Sequence, residues 1–152
     1  DGELDPEFGT NGKVITDFDV RDVVLATAIQ NDGKILAVGW SGGESAADFA
    51  LARYNPDGSL DTSFGSNGRV ITDFDGGGYA YAAAVQPDGK IVAAGFANPS
   101  GVYGFNDFAL ARYLNPSLAS TPTATSTATA TPPLTGQAVY LPLLVKQAQA
   151  GW

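Results

Sequence analysis

The chain is 152 residues long, 44% hydrophobic and only 16% charged, with a formal net charge of −8, 19 Gly and 9 Pro. That suits one turn-rich domain with a real core, not a helical bundle, and its acidity argues against a nucleic-acid partner, which would need a basic surface. Cysteine and histidine are both absent, which excludes disulfides, thiolate nucleophiles, imidazole bases and zinc, copper or haem ligation.

The first element in chain order is GKVITDF (12–18), whose alternation sets Val14, Thr16 and Phe18 on one face and Lys13, Ile15 and Asp17 on the other. VVLATAIQ (23–30) and KILAVGW (34–40) flank Asn31-Asp32-Gly33, where glycine supplies the positive φ of a hairpin. DFALARYN (48–55) places Phe49, Leu51 and Arg53 on one face and ends in the turn Asn55-Pro56-Asp57-Gly58. A helical reading of 45–54 is open by propensity, but the turn that follows favours a strand. A second set follows at 68–74, 79–86, 90–97 and 107–113.

The second set repeats the first. LDPEFGTNGKVITDF (4–18) returns as LDTSFGSNGRVITDF (60–74), offset by 56 with eleven of fifteen positions identical. QNDGKILAVG (30–39) returns as QPDGKIVAAG at the same offset, and DFALARY (48–54) returns unchanged 59 residues on. The extra residues fall in one loop, as surface connections tolerate and packed strands do not.

Four strands per unit of this length is the habit of β-propeller blades. The segments LDxxFGxNGxVITDF, QxDGKI and DFALARY closely resemble the delta-60 repeat family of bacterial secreted proteins, over residues 1–114. The resemblance implies an all-β, propeller-like array of four-stranded blades outside the cytoplasm, at the bacterial surface or beyond it. The family has no agreed catalytic residues to carry over. Rings usually close with about four blades or more, whereas here, read as blades, 23–30, 34–40, 48–54 and 68–74 make one full set of four strands and 79–86, 90–97 and 107–113 only three of the next. The missing fourth is of the kind supplied by 12–18. We therefore expect self-association, 12–18 of one copy against 107–113 of another, unless the C-terminal segment covers the open edge.

The remaining chain divides into a Thr/Pro/Ala-rich linker (115–136) and a short apolar segment (137–152). The linker has Thr at every second position from 121 to 131 and, beyond Leu118 and Leu134, no large apolar side chain, so it is expected to be extended, either as an O-glycosylated stalk or as a bare spacer. AVYLPLLV (138–145) falls well short of the roughly 18 residues of a spanning helix. It is expected either to dock on the repeats or to serve export or retention. Methionine is absent even at position 1, which suggests a processed product or an excised fragment.

Calcium is the metal these residues could hold, since only oxygen ligands are present. Its candidates are Asp17, Asp19 and Asp22 in one copy and Asp73 and Asp75 in the other; the alternative is that they bond backbone N–H groups of nearby turns. No other cofactor is expected. Trp40, Tyr79, Tyr81, Tyr103 and Phe105 could stack on a ligand, carbohydrate or protein, or simply pack between blades. Phe8, Phe18, Phe49, Phe64, Phe74 and Phe108 recur at equivalent positions and are expected in the core. Asp5 and Glu7 form the nearest acid pair, but Glu7 becomes Ser63 in the second copy. The reading is a non-catalytic exported or surface-displayed module with a structural or ligand-binding role; the alternative is a polysaccharide-acting enzyme on the same scaffold.

Overall fold

The computed structural model describes residues 1–43, 46–100 and 106–115. Its strands are cut to length by Asp-Gly turns. At 31–33 the Gln30 N–H bonds the Lys34 carbonyl at 2.9 Å and Gly33 takes φ 81°. The turn at 87–89 repeats this, with Gln86 N–H to Lys90 carbonyl at 2.8 Å and Gly89 at φ 78°. An L-residue there would bear about 1–2 kcal/mol of steric cost that glycine avoids.

Between the turns run β1 (Asp22–Ile29), β2 (Ile35–Gly43), β3 (Ala46–Tyr54), β4 (Arg69–Thr72), β5 (Gly78–Val85), β6 (Ile91–Ala97) and β7 (Asp107–Tyr113). They form one antiparallel sheet ordered β1-β2-β3-β4 and a second ordered β5-β6-β7. The fold is all-β, an incomplete propeller-like array of two repeats. The helical option at 45–54 fails because β3 pairs with β2 along its whole length, a gain of ladder bonds and face burial that outweighs local propensity.

Each sheet has one face of large residues and one of small residues. In the first, Leu36, Val38, Trp40, Phe49 and Leu51 share a face, and Ala37, Gly39, Ala50 and Ala52 lie opposite. That large face packs on the small face of the second sheet, which offers Ala80, Ala93, Ala97 and Ala109. The core is this interlayer. Leu36, Val38, Phe49 and Leu51 are each 0% exposed within it, and burying each such side chain stabilises by about 1.5–3 kcal/mol. Bulky side chains against alanines let the sheets interdigitate, and they give the stack a direction.

Segment 12–18 differs from expectation. It alternates as read, with Val14, Thr16 and Phe18 over the small face of the first sheet, yet among the described residues it joins no ladder. Tyr54 Oη donates to Thr16 Oγ1 at 2.7 Å. The same pair recurs 2.8 Å apart between Thr72 of β4 and Tyr113 of the second sheet. The segment therefore stands towards the first sheet as β4 stands towards the second: as the outer strand of a neighbouring blade.

Three of the phenylalanines expected in the core need correction. Phe108 is 98% exposed although its twin Phe49 is 0% exposed, because among the described residues no blade lies on the large face of the second sheet. Phe8 and Phe18 are only half-buried, for the matching reason at the other end of the array. No helix of the described residues is long and apolar enough to cross a membrane. Residues 116–152, with the stalk and the apolar segment, lie outside the described residues, as do Tyr103 and Phe105.

Candidate functional site

The hairpin end of the first sheet carries a charged corner that the sequence reading did not assemble. Arg53 is fully buried; its Nε lies 2.8 Å from Asp61 Oδ2, and its guanidinium stacks 4.5 Å from the centre of the Phe64 ring. Its other nitrogens donate to Asn115 Oδ1 at 2.8 Å and Ser63 Oγ at 3.3 Å. Lys34 Nζ stands 3.3 Å from the same Asp61 oxygen. Burial pushes the Asp61 carboxyl up, but the Ser63 hydroxyl and amide, Arg53 and Lys34 together overcome it and hold the group at about 2. Asp61 comes from the LDxxF motif, Arg53 from DFALARY and Lys34 from QxDGK, so the corner knits together all three repeated motifs. A signal was available: an Arg and an Asp flanking one turn.

The corner is chemically a lock. Both ions are enclosed and paired with each other. The repeated aspartates elsewhere behave alike. Asp5, Asp17, Asp32, Asp57, Asp61, Asp73 and Asp88 each accept the backbone N–H two residues on, at 2.7–3.3 Å, the geometry of Asx turns.

Among the calcium candidates, Asp17 and Asp19 are not spaced along a strand. Asp19 N–H bonds Asp17 Oδ1 at 2.7 Å with Asp19 at φ 71°, and Asp75 on Asp73 does the same at φ 60°. Asp22 Oδ2 accepts the Phe18 N–H at 2.9 Å. Among the described residues no three acidic side chains converge to hold an ion. Asp48, at the same end, has its carboxyl raised by partial burial and by the nearby Asp73. We expect millimolar Ca²⁺ to shift the melting temperature by less than about 5 °C, since only a ligand of the folded state stabilises it; a larger rise by calorimetry would restore the calcium reading.

The aromatic candidates form a row across the two sheets. Arg21 stacks 5.3 Å from the Trp40 ring, Trp40 meets Tyr79 edge-on at 5.1 Å, Tyr79 meets Phe96 at 5.1 Å, and Phe96 meets Tyr81 at 5.8 Å. Trp40 is 8% exposed and Tyr81 is 52% exposed. Trp40 and Tyr79 therefore stitch one sheet to the other, and Tyr81 alone of the described candidates offers a largely open ring. It stands at the bulge where β5 slips register against β6, between Ala80 and Ala82.

A cleft of about 130 Å³ lies between 12–18 and the small face of the first sheet, lined by Ala37, Gly39, Ala50, Ala52 and Val14, with Asp22 its one carboxylate. It is smaller than ordinary small-molecule sites, which run from about 300 Å³ upward. No curated protein and no solved structure matches the chain. A family model described as a domain of unknown function (DUF5122) beta-propeller matches residues 30–64 and 86–115, so each repeat of this chain, from its QxDGK hairpin through DFALARY, is similar to a β-propeller domain.

Proposed function

We infer that the chain is a non-catalytic repeat module of the delta-60 type, exported or displayed at a bacterial surface, with a structural role. The supporting observation is the occupation of its acids: seven aspartates close Asx turns, and the lowered carboxyl of Asp61 is locked against Arg53. A polysaccharide hydrolase needs two carboxyls about 5–10 Å apart across an accessible cleft. The cleft here presents one, Asp22, already bonded to the Phe18 amide. Export is favoured by the Thr/Pro/Ala composition of 117–136 and by the delta-60 resemblance of 1–114. Where the module binds a ligand, an extracellular carbohydrate or protein is the class that suits the open ring of Tyr81.

Incubation of the 152-residue chain with a panel of polysaccharides is expected to release no new reducing ends. Turnover that disappears in Asp22→Asn would replace this reading with the enzyme.

A further inference from the structure

We propose that copies of this chain assemble head to tail, residues 4–18 of one copy completing the second sheet of the next. The geometry is already present inside the chain. β4 pairs with β3 so that Phe49 faces Thr72, Ala50 faces Ile71, Leu51 faces Val70 and Ala52 faces Arg69. Applying the repeat offsets of 59 and 56 sets Phe108 opposite Thr16, Ala109 opposite Ile15 and Leu110 opposite Val14. The outer edge of β7 has no ladder partner among the described residues, and neither has 12–18.

Charge fits the same register. The offsets that relate Asp61 to Arg53 relate Asp5 to Arg112. Asp5 and Arg112 are both exposed, and Asp5 holds the Glu7 amide at 2.9 Å as Asp61 holds that of Ser63 at 3.1 Å. The corner is thus preformed. Asp88 lies near enough to Arg112 to feel its charge, but residues 116–120, Pro-Ser-Leu-Ala-Ser, carry no counterpart of Asp61, which leaves that place beside Arg112 for the Asp5 of a second copy.

Shape fits as well. The large face of the second sheet leaves Phe108 98% and Leu110 66% exposed. The small face of the first sheet carries the open cleft beside Val14 and Thr16. Placing one on the other repeats between copies the large-on-small stacking found within each. Segment 12–18 need not leave the small face of the first sheet to do this. β4 pairs with β3 while its Thr72 reaches Tyr113 of the following sheet, and 12–18 already makes the second of these contacts through Thr16 and Tyr54. A contact between two different surfaces closes a ring when the rotation allows. With two sheets per copy, rings of about four to eight blades correspond to two to four copies.

The test uses the full chain, which has no native cysteine. Light scattering should give a discrete mass of two, three or four copies. Ile15→Cys combined with Ala109→Cys should produce ladders of linked chains on oxidation that collapse on reduction, because opposed residues of an antiparallel pair lie within disulfide reach. Arg112→Glu and Asp5→Arg, both at exposed positions, should each give monomers with unchanged far-UV circular dichroism, and the two combined in one chain should recover assembly. A monomeric wild type, or a disulfide formed within one chain, overturns the proposal. A monomer with the Leu110 amide protected from exchange does so too, and assigns the edge to residues 116–152. The export and non-catalytic reading is not at stake in these measurements; it fails on turnover, this one on mass.

Discussion

Asp61→Ala is expected to destabilise the repeat body by about 3–5 kcal/mol, the usual cost of leaving a buried ion without its partner. Arg53 has no exposed surface, and a guanidinium cannot relieve its burial by losing a proton. The Asn115 and Ser63 oxygens would remain, but neither carries a charge. Replacing both ions by apolar residues, Arg53→Met with Asp61→Leu, should recover a good part of the loss. The pH dependence follows from the same contacts. The Asp61 carboxyl is held at about 2 in the folded state against about 3.9 for an ordinary aspartate. Its folded pKa is depressed, so the stabilisation is complete above about pH 4 and is lost as the pH falls towards 2. The difference corresponds to about 2–3 kcal/mol. Urea unfolding at pH 7 and across the acid range reads both effects. A loss below about 1 kcal/mol at pH 7, or an unchanged acid slope in Asp61→Asn, would contradict the lock.

Gly39→Ala and Gly95→Ala are expected to cost about 3 kcal/mol each, although both positions lie in strands where alanine is ordinarily harmless. At both, an added Cβ would stand 1.9 Å from a backbone oxygen, of Val23 at Gly39 and of Tyr79 at Gly95. The cause is the bulge in the neighbouring strand, between Val24 and Ala26 in β1 and between Ala80 and Ala82 in β5. A bulge carries one unpaired residue and bends the strand, here bringing its backbone onto the glycine. Gly43→Ala is the control: nothing lies within 4 Å of the added Cβ, and the change should be neutral within about 0.5 kcal/mol. Equal melting temperatures for the Gly39 and Gly43 variants would mean that the bulge relaxes without strain.

The order of the strands, their turns and their grouping into two units were legible because each depends on neighbours close in sequence. An Asp-Gly turn is made by the residues that form it, and a period-two pattern states its own faces. The Asp17 and Asp73 turns were legible as one of two options, since a carboxylate that bonds the N–H two residues on needs nothing from afar. The site was less legible. Asp61 could be placed before a corner, but its capture of Arg53 and Lys34 needs β2, β3 and the corner to converge. Nothing local says which of several acids an arginine will meet.

DFALARY marks the limit most clearly. The seven letters occur twice and make a strand both times, so the sequence by itself determined the backbone. Yet Phe49, Leu51 and Arg53 are fully buried while Phe108, Leu110 and Arg112 are exposed. Burial is a property of the layer that arrives on a face, and among the described residues only the first copy has a blade lying on its large face. The strand form of DFALARY was decided by its own residues; whether those residues form core, ion lock or open surface, and whether the VITDF segment joins a ladder as in β4 or stays unpaired as at 14–18, was decided by the tertiary arrangement of one sheet against the next.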